Sequence, residues 1–520
     1  MDYRPSALSS FPSCYRCLIQ NLESEMYPLE TLNYKGARQI CIIGAGAAGL
    51  AALKSITETW QFKEKLWQVV AFETRDDIGG VWYEVAILSI IIVMEFQSHR
   101  LPAPPSDIPP LTPMYDSLTT NLPHPVMAYT SLSFPPSTYL YPPASSVLDY
   151  LRLYASHFDI KKYIRLNTSV EQLDWDSFKK QWKIKLSTNE VANFELVIIA
   201  NGHYRVPLYP SLPGLSRWLS SGKASHSAWY RRPHNMGDVV LVVGAGPSGN
   251  DIAAEIRTVS RTVIRSVTGG RKEDQDGLKM RGRVLEFKDN GQVVFEHGIT
   301  ESGISHCILA TGYELSFPFI NSEDLRLNIP PSCPPLPDTI FNSKYHIFPL
   351  ARYIFPLQNK WPSSSMAFIG LFMKAAPFPL VEAQCRAIIK IFENPSSLDI
   401  TQEAVDIVTR YGRLQALHGD DPLKIARHWH KFDGQEQWEY RDELYKLAET
   451  EDSPRVVADW EKEMYNERNR LREIWQELEA SGEAGDWVGG VGEGGLQEWV
   501  DLMRRMLKRG LREDKFEPRL

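Results

Sequence analysis

The sequence predicts an α/β chain with two Rossmann-like dinucleotide-binding domains, the second inserted in the first, followed by a C-terminal helical extension. Two glycine signatures point to it, GAGAAG at Gly44 to Gly49 and GAGPSG at Gly244 to Gly249, whose first glycines stand 200 positions apart (244 − 44). Each has the context that such a turn needs. QICII precedes the first and LAALKSI follows it, while VVLVV precedes the second and NDIAAEI follows it, so strand, tight turn and helix recur in order. A third observation is the tail, which from about residue 381 is charged and helical in pattern and shows no further glycine turn.

In each signature the three glycines have separate tasks. Gly44 and Gly244 make the turn, Gly46 and Gly246 let the backbone approach a pyrophosphate, and Gly49 and Gly249 let helix pack on strand. Ser248 adds a hydroxyl at the second turn, and each helix N-terminus offers the positive end of its dipole to a phosphate. The copies differ downstream. The strand WQVVAFE ends in Glu73, an acid placed to accept from an adenosine ribose, which suits FAD or NAD. The strand RTVIRS ends without an acid and sits among Arg261, Arg265, Arg271 and Lys272, a cluster suited to the 2′-phosphate of NADPH.

Between and after these units the pattern divides the chain into a flexible leader (1–36), a first dinucleotide-binding part (37–208), the inserted unit (209–329), a return segment (330–395) and a helical region (396–520). Residues 101–143, rich in Pro, Ser and Tyr, read as irregular surface and active-site loop. A helix is predicted to restart at Ser145 or Ser146, with Ser146 and Asp149 forming a shortened capping box. SVEQLDW, QWKIKL and FELVIIANG read as strands of one small sheet. CILATGYE is a buried strand ending in a glycine turn. In the tail, EKEMYNERNRLREIWQELEAS is the clearest helix, and GDWVGGVGEGG is a flexible break before a last amphipathic helix.

Composition narrows the function classes. At 520 residues the chain exceeds one hydrophobic core, and 43% apolar residues suffice to bury several. A net charge of −7 with no basic block excludes nucleic acid as the expected partner and leaves small molecules. No signal-like start and no run of 18 apolar residues occurs, so a cytoplasmic chain without a membrane span is expected. Six cysteines are too few for a disulfide framework, and Cys14 and Cys17 lie in the leader, remote from either turn. His428 and His430 stand two apart, on different faces of a helix, so no metal is expected. The oligomeric state stays open, a homodimer included.

The motifs GAGAAG, GGVW (Gly79–Trp82), ANGHY (Ala200–Tyr204), GPSGNDIA, ATGY (Ala310–Tyr313) and PFPLVEAQ (Pro377–Gln384) occur in the order found in flavin-containing monooxygenases. Over roughly residues 40 to 440 the chain resembles that family, in its fungal dimethylaniline- or thiol-oxidising form. The resemblance implies FAD at the first turn and NADPH at the second. It implies O2 and a small-molecule substrate as partners, with oxygen passing through a flavin C4a-hydroperoxide to a soft nucleophilic nitrogen or sulfur. It also implies Asn121, in MYDSLTTNLPHPVMAY, as the catalytic amide, Trp82 beside the flavin ring and Gln384 reaching the flavin. His226, in SSGKASHSAWY, takes the histidine position of the family fingerprint FxGxxxHxxxY, with Gly222 and Tyr230 also matched. By residue type alone, Asn121 before Leu-Pro is equally a turn residue, Trp82 a core residue and His226 a linker tie.

Three departures accompany the resemblance. Ser220 stands where the fingerprint has Phe, the family's usual phosphate arginine is expected near Thr268, later than Arg265, and VAILSIIIVM (Val85–Met94) interrupts the chain after GGVWYE. Ten apolar residues cannot span a bilayer, so this stretch is either a native insert or a translated intron. A Baeyer–Villiger enzyme acting on ketones and a nucleotide-binding flavoprotein without oxygenase activity are the alternatives. Trp is expected at the position of Tyr230 in the first of these.

Overall fold

The structure, a computed structural model, describes residues 36–83, 109–449 and 456–513. The leader with Cys14 and Cys17, and the apolar stretch Val85–Met94, lie outside the described residues.

The chain opens with β1 (Arg38–Ile43), which pairs in parallel with β2 (Trp67–Phe72). β2 then pairs with β3 (Ile164–Arg165), and β1 takes β4 (Leu196–Ile199) on its other side. A second sheet follows, built from β5 (Ala224–His226), β6 (Val239–Val243), β7 (Thr262–Ser266), β8 (Glu273–Gln275), β9 (Leu278–Arg281) and β10 (His306–Leu309) in the spatial order β8-β9-β7-β6-β10-β5. Only the β8–β9 pair is antiparallel. The chain then returns as β11 (Met366–Phe368), which pairs in parallel with β4, so the first sheet has the order β11-β4-β1-β2-β3. The second unit is thus inserted in the first.

The central strands of both sheets are buried on two faces, whereas the edge strand β8 is exposed, and the side-chain period of two distributes β1 between two cores. Ile40 and Ile42 face α1 (Ala47–Thr57) and the helical layer, whereas Cys41 and Ile43 face Trp182, Ile184 and Phe194 on the opposite side. Those three residues belong to an antiparallel meander of Val170–Asp176, Gln181–Leu186 and Val191–Phe194. The third strand read from the sequence therefore splits. Val191–Phe194 closes the meander, β4 joins the parallel sheet, and Glu195 between them accepts from Gln39 N (2.6 Å) and Gln181 Nε2 (2.6 Å), joining the two.

Helix α2 (Ala144–His157) starts one residue before the expected serines. Pro143 is its N-cap residue and no side chain caps it, so the Ser146 capping box does not form. Helix α3 (Pro247–Ile256) follows the second glycine turn, and α4 (Pro377–Glu393) is buried on most of its circumference because it lies between α1 and the helical tail. The tail contains α5 (Ile400–His418), α6 (Pro422–Trp429) and α7 (Glu436–Leu447), the first two capped by Asp399 and Asp421. The single helix expected over EKEMYNERNRLREIWQELEAS is two, α8 (Asp459–Asn466) and α9 (Arg468–Ser481), because Glu467 leaves helical geometry at ψ 4°. The expected flexible break contains a short helix, Ala484–Val488, before the amphipathic α10 (Leu496–Glu513).

Candidate active site

The two glycine turns share one backbone construction at the carboxyl ends of β1 and β6. Gly44 has φ 104° and donates from N to Phe72 O (2.8 Å), while Gly244 has φ 125° and donates to Ser266 O (3.0 Å). A Cβ on Gly44 would lie 2.6 Å from Ala200 O, and one on Gly244 would lie 2.2 Å from Ala310 O. Ala200 and Ala310 are the equivalent alanines of ANGHY and ATGY. At the third glycines, a Cβ on Gly49 would lie 1.9 Å from Gly44 O and one on Gly249 would lie 2.5 Å from Gly244 O, so neither turn admits a side chain there.

The turns differ at the middle glycine. A Cβ on Gly46 would meet Gly80 Cα at 3.1 Å, and Gly80, at φ 58°, approaches Gly46 as closely from the other side. GGVW thus folds down over the first turn, with Trp82 half-buried against the core. Around Gly246, its chain neighbours aside, no atom of the described residues lies within 4 Å of an added Cβ. One cradle is closed by its own chain and the other is open.

Glu73 sits at the end of β2, 4% exposed, with both carboxylate oxygens engaged. Oε2 accepts from Ala45 N (2.8 Å) and Oε1 from Arg75 N (3.1 Å), with the Arg75 guanidinium 3.6 Å away. The acid expected to meet a ribose therefore also holds the glycine turn in shape. Arg265, on β7, donates to Asn250 Oδ1 near the start of α3, and Ser248 in the first turn of that helix is half-buried. Arg271 and Lys272 are exposed beyond the strand.

The loop expected to be irregular surface is in fact mostly buried from Leu122 to Tyr129, and it links the two turns. At one end Tyr115 Oη donates to Asp251 Oδ2 on α3 (2.7 Å), and at the other Tyr129 Oη donates to Ala47 O at the start of α1 (2.6 Å). Asn121 lies between these anchors, exposed, with no hydrogen bond among the described residues. Just beyond Tyr129, Glu382 on α4 accepts from Thr130 N (2.5 Å) and Thr130 Oγ1 (2.7 Å).

His226 is fully buried at the end of β5. Its Nδ1 accepts from Ala228 N (3.1 Å), so Nε2 carries the proton and donates to Gly312 O (2.9 Å) in ATGY. Burial lowers its pKa to about 4 and keeps the ring neutral, which makes it a tie between the linker and the ATGY turn. Tyr230 bonds Glu255 on α3 (2.6 Å). Ser220 is exposed at the end of a short helix, Leu215–Ser220. Gln384 is buried with both ends of its amide in use, Oε1 accepting from Gly370 N (3.0 Å) and Nε2 donating to Tyr440 Oη (3.1 Å). It therefore shapes the turn after β11, where Gly370 approaches Ala48 of α1.

Residues 37–272 and 275–425 match the model of the family described as flavin-binding monooxygenase-like. The chain belongs to this family. Among its relatives, the flavin-containing monooxygenase FMO GS-OX-like 2 of Arabidopsis thaliana is 29% identical over 458 residues, covering 82% of this chain and 88% of the relative. FMO GS-OX-like 7 of the same plant is 29% identical over 407 residues, covering 73% and 78%. In three dimensions the chain is similar to S-allyl-L-cysteine S-oxygenase from Allium sativum, with TM-score 0.67 and 25% identity over 84% of this chain and 93% of that one. The fold is shared with cyclohexanone monooxygenase as well, at TM-score 0.50 and 13% identity.

A flavin-binding monooxygenase takes FAD, and the closed first cradle, with glycine at 44, 46 and 49 and its turn held by Glu73, fits such a dinucleotide. Among the described residues no helix is long and apolar enough to cross a membrane. The residues that sequence reasoning missed are Gly80, Tyr115 and Asp251. Gly80 was legible inside GGVW as a second adjacent glycine. The Tyr115–Asp251 bond spans 136 positions and leaves no local signal.

Proposed function

We propose that this flavin-binding monooxygenase is NADPH- and O2-dependent and oxygenates a soft nucleophilic nitrogen or sulfur of a small molecule, a thioether sulfur first. The observation that carries this reading is the pair of glycine turns with one backbone geometry and opposite access at Gly46 and Gly246. Such a pair suits one nucleotide that stays and one that is exchanged at every turnover. The likeness to an S-oxygenase favours sulfur.

Bound FAD supplies the transfer of electrons from NADPH and the activation of O2. The chain supplies position and dryness. Gly44, Gly46 and Gly49 admit the pyrophosphate of FAD at the N-terminus of α1, and Glu73 accepts from its ribose beside the bond it already makes to Ala45 N. Gly244, Gly246, Ser248 and Gly249 do the same for NADPH at α3, and Arg265 pairs with the 2′-phosphate by giving up Asn250. Trp82 covers the flavin side of the first turn. Asn121 projects an uncharged amide from a loop that is anchored at both nucleotide helices; it donates and accepts hydrogen bonds without offering an acidic proton. His226, neutral and fully bonded, holds the linker and has no acid or base role.

The test is a balance sheet on purified, FAD-loaded protein given methyl phenyl sulfide, a tertiary amine or cyclohexanone. The proposal expects the sulfide or the amine to accelerate NADPH consumption, with nearly one oxide formed per NADPH and little hydrogen peroxide. Lactone from cyclohexanone with no oxide from either nucleophile, or peroxide as the only product, would overturn it.

A further inference from the structure

We infer that the helical tail beyond the family match is part of the oxygenation site, and that Arg472 on α9 is the positioning residue through which it sets Asn121. This rests on the proposed role of Asn121. The family match ends at residue 425, yet α9 and α10 close over the loop that carries this asparagine. Tyr141 Oη donates to Arg468 O (3.0 Å), Ser137 N donates to Val491 O (2.9 Å), and the rings of His124 and Trp499 meet edge to face at 4.3 Å.

Arg472 makes the decisive contact. Its Nη1 donates to Thr120 O (2.7 Å), its Nη2 lies 3.9 Å from Asp251 Oδ1, and its guanidinium lies 5.8 Å from the centre of the Tyr141 ring. Thr120 is buried, and its other polar groups are also taken, N donating to Pro142 O (3.0 Å) and Oγ1 to Leu122 O (2.8 Å). The carbonyl of Thr120 and the amide of Asn121 share one rigid peptide plane, so holding Thr120 O fixes the plane from which the Asn121 side chain leaves. Asp251 at the other end of the guanidinium is also the acceptor for Tyr115 on the same loop, and it stands on the helix that follows the second glycine turn. One arginine therefore ties together the tail, the Asn121 peptide and the second nucleotide unit. A planar, permanently charged fork serves this better than a lysine, because one nitrogen donates to Thr120 O while the other keeps its charge 3.9 Å from Asp251.

The full-length, FAD-loaded protein is compared with Arg472→Met and Arg472→Lys. Amide hydrogen exchange is read on peptides covering 115–129, and the hydrogen peroxide formed per NADPH is read during turnover with methyl phenyl sulfide. Arg472→Met is expected to speed exchange in 115–129 but not in α1, and to raise the peroxide fraction at least threefold. Arg472→Lys, which keeps one donor for Thr120 O, should recover at least half of the lost coupling. Asp251→Asn weakens the other end while keeping an acceptor for Tyr115, and it should move both readouts in the same direction should Arg472→Met fail to purify. Unchanged exchange in 115–129, or faster exchange with unchanged coupling, would overturn the inference. If wild-type protein forms no sulfoxide, the proposed function falls instead, and the exchange data alone then support or overturn the tether.

Discussion

Replacing Gly246 with alanine separates the needs of the fold from the needs of the ligand. The backbone there is extended, at φ −74° and ψ 174°, and among the described residues nothing beyond its chain neighbours lies within 4 Å of the new methyl group, so no strain or clash opposes it. Such a Gly→Ala change leaves stability unaltered or raises it by about 0.4–1 kcal/mol through the unfolded chain. The methyl would stand where a pyrophosphate must approach the backbone. Pushing that group off one charge-assisted hydrogen bond costs roughly 1.5–3 kcal/mol, or about 10- to 150-fold in KM for NADPH. The assay is steady-state NADPH oxidation together with flavin content and thermal melting. The expected result is full flavin, an unchanged or slightly higher Tm and the raised KM. Gly49→Ala is the contrast, since its methyl would lie 1.9 Å from Gly44 O, and this variant should lose flavin and melt earlier. A Gly246→Ala protein with intact Tm whose KM for NADPH moves less than twofold would refute the reasoning, because the open turn would then hold no phosphate.

Arg265→Ala should raise KM for NADPH by about tenfold or more while leaving KM for NADH unchanged, since only the former has a 2′-phosphate to lose; an equal effect on both cofactors would count against the assignment. Asn121→Ala removes an exposed amide with no bond among the described residues, so Tm should hold within roughly 0.5 kcal/mol of stability while oxide formed per NADPH falls several-fold. An unchanged product yield would remove Asn121 from the site. The buried histidines predict an acid-sensitive fold. His124 and His226 are held neutral by burial with pKa values lowered to about 3 and about 4, below the ordinary 6.5. Their folded-state burial costs least above pH 6.5, and as pH falls from 6.5 towards 4 each lets the unfolded chain bind a proton that the folded chain refuses. Stability should drop by up to roughly 1.4 kcal/mol per pH unit for each ring. His226→Gln should make the fall in Tm between pH 7 and pH 4.5 shallower, and an identical slope would show that its ring takes up the proton equally in both states.

The features readable in the sequence are those whose cause is local. A β-branched run, a glycine with positive φ and a helix that packs on the strand follow one another within about fifteen residues. Both nucleotide turns, and Glu73 at the end of the next strand, were therefore legible with their geometry. Local rules failed where a distant contact outweighed them. Ser146 offers a capping box, but Pro143 starts α2. FELVIIANG reads as one strand, but the meander and the parallel sheet share it. The polar, proline-rich loop reads as surface, but Leu122 to Tyr129 are buried under α4 and the tail.

The sequence by itself determined two dinucleotide cradles, their order and the chemistry that each acid or cation suits, because turn geometry and strand–helix packing are written in consecutive residues. Only the tertiary structure decided that one cradle is closed by Gly80 and the other open, that His226 and Gln384 are buried, hydrogen-bonded ties, and that Asn121 hangs between the two nucleotide helices. It alone brought Arg472 to a carbonyl 352 positions away. Contacts of that span arise from how whole layers pack, and no pattern along the chain records them.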